Sequence, residues 1–369
     1  NTWPAEWKFA VGPAASWMSA GSVYYSYNGY DFYSDRKYSS KVGTYYNYYQ
    51  FLPLRTKSAV QAGTYNSFLS SRGYGSGSKL WDTGSTFISA QNTYGVNALL
   101  VFSMACLESA YGTSNYAVNR NNLFGWSAYD SNPDSASYFS SITQAINEHM
   151  GINLRGYLNI NDYRYFGGQL GNKGSGINVK YAGDPYWGMK IASIAYSIDK
   201  ADNGDDGTLT DANSASLGVI NQYGVNILKT AGGSALYNSA YGATYQVNHI
   251  VSILAESGDW YEIQSTNILS GGEVMSTSGV GLTGYDWGTN VGWLPKSQVD
   301  RVNSTIAVSK GDTPTGDPVQ TLNSVAYSGK SLALSGYAYR PGIYVNDANT
   351  VTQKLSIQDE KFTEKASYA

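Results

Sequence analysis

Between Asp82 and Arg120 the chain carries one charged residue, Glu108, at the end of the run Asn97-Ala-Leu-Leu-Val-Phe-Ser-Met-Ala-Cys-Leu-Glu108. A carboxylate among so many apolar neighbours loses hydration, so its pKa rises and it tends to hold its proton. A protonated carboxyl is what general acid catalysis needs, as in delivering a proton to a poor leaving group such as a glycosidic oxygen. The same side chain could equally accept hydrogen bonds from backbone amides, and burial alone leaves both readings open. Cys106 with His149 would suggest a cysteine peptidase. Helical spacing turns Cys106 and Glu108 to different faces, and a cysteine among Met, Ala and Leu is ordinary packing.

Composition narrows the substrate. Lys and Arg number 24 against 27 Asp and Glu, a net charge of −3 that exerts no general pull on nucleic acid or anionic lipid. Only 14% of residues are charged, while 34 Tyr, 9 Trp and 41 Gly suit a neutral, hydrogen-bonding polymer such as a glycan. A Tyr-rich β surface explains those tyrosines equally well. One cysteine excludes an intrachain disulfide, and two histidines are too few for most catalytic zinc sites, so neither metal nor cofactor is expected. No run of about 18 apolar residues is present, so no membrane insertion is expected; Asn1 reads as a processed or cut end.

The elements that must position Glu108 follow. Asn97 can cap its helix and Gly112 can end it. Ser141-Ile-Thr-Gln144 reads as a capping box in which serine and glutamine satisfy each other's amides. A further helix should start after Asp184-Pro185 and run through Trp187 to Ile198. Residues 1–85, with Tyr24-Tyr25, Tyr45-Tyr46 and Tyr48-Tyr49 near Gly and Asn, read as short strands rather than long helices. Asp199 to Thr210 is acidic and Gly-rich and reads as a domain boundary, its calcium-loop look undercut by the missing terminal Glu. Beyond it lie short β segments, Val225-Leu228, Thr244-Ile253, Trp260-Ile263 and Gly292-Pro295, a pattern for a small barrel.

Four ordered blocks carry a resemblance. Ala105-Cys-Leu-Glu108-Ser109-Ala-Tyr-Gly112-Thr-Ser114, Asn121-Asn122-Leu-Phe-Gly125-Trp126, Ala128-Tyr-Asp130-Ser-Asn-Pro133 and Asn178-Val-Lys-Tyr181-Ala-Gly-Asp184-Pro-Tyr186-Trp187 resemble the motifs of glycoside hydrolase family 73, in the lysozyme-like group. With the similar lead-in Tyr49 to Arg55, the likeness covers residues 45–200. It implies an endo-β-N-acetylglucosaminidase that hydrolyses the GlcNAc-β-1,4-MurNAc bond of bacterial peptidoglycan, with Glu108 as proton donor and Tyr181 beside the cleaved sugar. The implied chain is a secreted or wall-associated monomer whose partner is the glycan strand. Asn122, Phe124, Trp126, Asp184, Tyr186 and Trp187 are its expected sugar-binding residues, although Trp126, Tyr186 and Trp187 could each be core.

An inverting glycosidase needs a base roughly 6.5–9.5 Å from its acid, a retaining one a nucleophile roughly 5–5.5 Å away. Asp130, Asp134 and Glu148 are at plausible separations; Asp130 is preferred because it lies in a family-like block, though the stretch to Ser141 lacks the second Glu that some members carry. The expected fold is multidomain: a mostly helical α+β lysozyme-like catalytic domain (86–202) after the aromatic β region (1–85), a linker (203–217), a small all-β Src-homology-3-like barrel (218–302), a second linker (303–320) and the start of another β module (321–369). Ser257-Gly-Asp-Trp260-Tyr-Glu-Ile and Asn290-Val-Gly-Trp293-Leu-Pro carry the looser barrel resemblance, which implies binding of wall peptide. The rival readings are a muramidase or lytic transglycosylase cutting the other glycosidic bond, and a non-catalytic glycan-binding protein.

Overall fold

The computed structural model describes residues 9–127, 137–202, 216–240, 249–276 and 281–302, together with the backbone of four strands between 319 and 368. Two compact units result, divided between Ala307 and Val308. In the first, strands β1 (Asp31–Tyr33) and β2 (Lys41–Thr44) pair as an antiparallel ribbon. Among the described residues eight α-helices follow: α1 (Tyr48–Phe51), α2 (Ala62–Ser71), α3 (Gly84–Tyr94), α4 (Ala98–Glu108), α5 (Asn115–Arg120), α6 (Ile142–Glu148), α7 (Asn178–Tyr181) and α8 (Trp187–Asp202).

Helix α4 is the axis of the core. Asn97 Oδ1 accepts from Leu100 N at 3.0 Å, satisfying one of the orphan amides at its start. Every residue from Ala98 to Cys106 is buried. Tyr65 of α2 and Phe87 of α3 meet Phe102 at ring distances of 4.5 and 5.2 Å, while Ile191, Ala192, Ala195 and Ile198 of α8 belong to the same core. Burying each of Leu99, Leu100, Phe102 and Met104 contributes roughly 1.5–3 kcal/mol, so this helix is held by tertiary packing. It ends at Glu108 rather than at Gly112, which lies in the turn that follows.

Three local expectations are corrected. Residues 1–85 include the ten-residue helix α2, because Tyr65, Phe68 and Leu69 recur at helical spacing and bury one face. Ser141 Oγ accepts from Gln144 N as expected, but Gln144 Oε1 turns to Ser140 N and Oγ, so the reciprocal capping box does not form. Helix α8 runs on to Asp202, past the expected helix end at Ile198. The Asp199 carboxylate is buried and accepts from Tyr49 Oη at 2.6 Å, which ties the helix end to the core.

After the helices comes a seven-stranded antiparallel sheet of β3 (Ser216–Ile220), β4 (Asn226–Leu228), β5 (Ala235–Asn238), β6 (Ile250–Ser257), β7 (Trp260–Gln264), β10 (Val291–Pro295) and β11 (Val299–Val302). Its order is β11-β3-β6-β7-β10-β4-β5, and β8 (Leu269–Ser270) pairs with β9 (Glu273–Val274) beside it. Successive side chains point to opposite faces of a strand. Along β3, Leu217 and Val219 therefore enter the helical core, while Ile220 joins Val251, Ile253, Tyr261 and Leu294 in the sheet's own core. The sheet is thus seated on the helices rather than carried on a loose tether. Arg55 reinforces the seat: its buried guanidinium donates to Tyr94 O, Gly95 O and Thr266 O and lies 4.2 Å from the Tyr285 ring. Arg155 adds bonds to Gly281 O and Thr283 Oγ1.

In the second unit, β12 (Val319–Ser328) pairs with β13 (Ser331–Tyr339) and β14 (Leu355–Gln358) with β15 (Glu364–Tyr368), each antiparallel.

Candidate active site

Glu108 closes α4, where burial and the negative end of the helix both oppose ionisation. Burial raises its pKa above the usual carboxylate range; the indole Nε1 of Trp187, donating to Oε1 at 2.7 Å, offsets part of that rise. The turn that follows is held tightly. Ala110, Tyr111 and Gly112 adopt φ of 49°, 58° and 77°, three consecutive left-handed residues. Ser109 Oγ donates to Ala105 O and accepts from Gly112 N at 2.8 Å; Ser78 Oγ donates to Tyr111 O at 2.7 Å. A Cβ on Gly112 would stand 2.6 Å from Ser78 Oγ and 2.7 Å from Leu80 N, so space as well as backbone requires glycine there.

Tyr181 ends α7, and Lys173 fixes that short helix: its ammonium donates to Asn178 O and Ala182 O at 2.8 Å and to Val179 O at 3.3 Å. The Tyr181 ring packs against Trp187 (4.7 Å), Tyr157 (5.4 Å) and Trp126 (5.8 Å). Burial and the nearby Glu108 charge push its pKa well above that of an ordinary phenol, so it remains a hydroxyl with a proton to donate. Its oxygen is buried and has no hydrogen-bond partner among the described residues. A buried hydroxyl left open in this way is the kind of group that a substrate atom or an ordered water satisfies.

The other expected residues divide into groups. Asn122 accepts from Phe124 N and Trp126 N and donates to Trp126 O and Ser137 O, so it shapes the turn that presents Trp126. Phe124 is buried and stacks on His149 at 3.6 Å. Trp187 is 3% exposed and belongs to the core, with its indole N–H turned to Glu108. Asp184 accepts from Tyr186 N at 2.9 Å and pairs with Lys190 at 2.5 Å, a turn at the head of α8. Tyr186 stands 49% exposed. Asp130 and Asp134 lie outside the described residues, and Glu148 accepts from Gln144 Nε2 at 2.7 Å.

Sequence reasoning gave His149 no positioning role. It is wholly buried, burial holds it far below the usual histidine pKa, and its Nδ1 accepts from Trp126 Nε1 at 2.8 Å. The ring is therefore neutral with its proton on Nε2. Ile146, His149 and Met150 at helical spacing were the available signal. Cys106 is buried, and burial raises its thiol pKa well above the usual value, so the thiolate that a peptidase needs is disfavoured. Among the described residues no group of three or more His, Cys, Asp or Glu could hold a metal ion, and no helix is long and apolar enough to cross a membrane.

A largely buried acid thus closes a core helix beside an aromatic wall with one unpartnered hydroxyl, surroundings that favour the protonated carboxyl a general acid needs. Residues 84–200 match the glucosaminidase family model, described as mannosyl-glycoprotein endo-beta-N-acetylglucosaminidase, and that match supports a glycoside-hydrolase domain in this part of the chain. Two Streptococcus pneumoniae proteins named putative endo-beta-N-acetylglucosaminidase are each 42% identical over 130 residues, 35% of this chain. The matched part spans about a fifth of those relatives, 19% and 18% of their lengths. Among solved structures, Staphylococcus aureus autolysin E is similar at 20% identity and a TM-score of 0.31, over 41% of this chain and 71% of that one. A catalytic mutant of autolysin E in complex with the disaccharide NAG-NAM gives 21% identity and a TM-score of 0.30, over 41% and 72%.

Proposed function

We propose that this chain is an endo-β-N-acetylglucosaminidase that hydrolyses the GlcNAc-β-1,4-MurNAc bond of peptidoglycan, with Glu108 as general acid. The observation that carries this reading is the Trp187 to Glu108 bond beside the open Tyr181 hydroxyl. Protonated Glu108 gives its proton to the glycosidic oxygen as the bond to the anomeric carbon breaks. The carboxylate left behind is the species to which the Trp187 N–H binds most strongly, so that bond strengthens as charge develops. Tyr181, held by Lys173, offers its oxygen to the positive charge growing on the sugar. Asp130 is the preferred second carboxylate because of its place in the Tyr-Asp-Ser-Asn-Pro block, and its role would be to activate the incoming water or shield the cation.

Cleavage after N-acetylglucosamine draws support from the matched family's description and from the names of the Streptococcus pneumoniae relatives, and the choice of peptidoglycan rests on the four motif blocks. The glycan strand is then the partner and the cell wall the place of action. Residues 218–302 are read as a Src-homology-3-like module that holds wall peptide near the cleft. The test is to digest purified peptidoglycan with the chain and with Glu108→Gln, reduce the products and identify the new sugar ends by mass spectrometry. Reducing N-acetylglucosamine ends from the unmodified chain alone are expected. Muramic or anhydromuramic ends would move the reading to a muramidase or lytic transglycosylase, and cleavage by neither protein would leave a glycan-binding protein.

A further inference from the structure

A concave site away from Glu108 lies on the N-terminal side of α8. It is a pocket of about 550 Å³ between residues 26–30, the loop 172–175 and the residues that open α8. Glu108, Tyr181 and Trp187 do not line it. Its volume falls within the roughly 300–1,000 Å³ typical of small-molecule sites.

The walls are built in advance. Asn172 Nδ2 donates to Asn28 O at 2.7 Å, and Gln50 Nε2 donates to Gly171 O at 3.0 Å. Gly29, at φ +84°, lets the two segments meet, since a Cβ there would stand 2.9 Å from Asn172 Nδ2. Tyr30 is fixed by stacking on Tyr46 at 4.9 Å. Tyr27 is 64% exposed, braced by Tyr33 and Tyr38 at 5.9 and 5.3 Å, and Tyr186, 49% exposed, lines the pocket as well. Tyr186 directly precedes Trp187, so the wall of the pocket and the partner of Glu108 are consecutive residues.

Charge selects the occupant. Among the described residues the lining contains no carboxylate, and the one cation there, Lys173, is engaged by three backbone carbonyls. An acidic peptide would bury its carboxylates here without a partner, at a cost in lost hydration. Tyrosine faces with amide edges suit instead a ring that has apolar faces and a hydroxylated or amidated rim. We propose that this pocket is a second saccharide site that takes an N-acetylhexosamine unit of a neutral glycan. This inference rests on the proposed glycan substrate for its ligand class.

The test uses the whole chain as Glu108→Gln, to prevent turnover, with the N-acetylglucosamine tetramer as probe. Binding is followed by titration calorimetry, and amide exchange is followed over residues 26–30 and 172–175. Two further variants are compared in that background: Tyr27→Ala, which removes a lining face, and Met189→Trp, which fills the pocket from α8. The expected result is protection of both segments by the tetramer, lost in either variant with about tenfold weaker binding. Unchanged affinity and protection in both variants would overturn the site, as would protection by an unglycosylated stem peptide and not by the tetramer. Should the unmodified chain fail to cut peptidoglycan while this protection is seen, the proposed function falls and the pocket stands. Cleavage without any protection gives the reverse.

Discussion

The indole of Trp187 donates to the carboxyl of Glu108 at 2.7 Å, across 79 residues of sequence. Burial raises the Glu108 pKa and this bond lowers it, so the pair sets the pH at which the acid loses its proton. A general acid works below its pKa and fails as pH rises through it. Trp187→Phe keeps most of the packing and removes the donor, so the pKa of Glu108 rises further. The descending limb of the kcat/KM profile on glycan should therefore move to higher pH, with a lower maximum rate because the nascent carboxylate has lost its donor. A pH-rate series on both proteins checks this, and a limb that stays in place would separate Glu108 from that ionisation.

The same carboxyl should cost stability. Its folded pKa lies above its unfolded one, so between the two the native state binds more protons and stability falls as pH rises. Below the unfolded value the penalty is absent; above the folded value it is complete. Glu108→Gln should then melt higher than the unmodified chain at pH 7, the difference closing as pH drops toward 4. The same substitution should cut glycan cleavage by at least about 10²-fold. Thermal melts across pH and the cleavage rate of one preparation read both effects.

Arg55 holds helix and sheet segments together through three backbone carbonyls and the Tyr285 ring, without a carboxylate partner among the described residues, and burial lowers its pKa to about 10. Removing it strands buried carbonyls at the seam. Arg55→Met should destabilise the chain by about 2–4 kcal/mol in denaturant unfolding. Arg55→Lys should recover little, because an ammonium cannot reproduce the planar fork that reaches three acceptors and stacks on a ring. Amides near Tyr94 and Asn267 should gain exchange together.

What the sequence made legible was local. Glu108 stood out because a carboxylate in an apolar run is energetically unusual, and α4 and α8 were readable from the Asn97 cap and from the Ile191, Ile194 and Ile198 spacing. Helix α2 was hidden because the tyrosine doublets nearby suggested strands, although Tyr65, Phe68 and Leu69 kept helical period. Contacts across long separations left no local trace. No pattern near Trp187 reports that its N–H meets Glu108, and nothing around Arg55 names its acceptors near residues 95 and 266. The seating of the sheet was partly written in β3, where Leu217 and Val219 on one face and Ile220 on the other give the strand two apolar sides to cover. Trp187 was legible as helical core or as sugar wall, and only its partner decides that it is core with a polar edge turned to the acid.

Lys173 tests the link between scaffold and chemistry. Its ammonium satisfies Asn178 O, Val179 O and Ala182 O, carbonyls of α7 and of the residue just past it, which a four-residue helix cannot pair internally. Tyr181 is the last residue of that helix, so Lys173 acts on the site as a positioning residue. Lys173→Met leaves those carbonyls to water and lets the Tyr181 ring shift against Trp187, while Glu108 keeps its place on α4. The expected outcome is a kcat about tenfold lower with KM changed less, since a stabilising contact to developing charge matters most in the transition state. Lys173→Arg, which keeps the charge and its donors, should restore part of the rate. Steady-state cleavage of a soluble glycan by the three proteins measures the split. A KM effect alone, or full activity in Lys173→Met, would assign Lys173 to the fold and leave the position of Tyr181 to its aromatic neighbours.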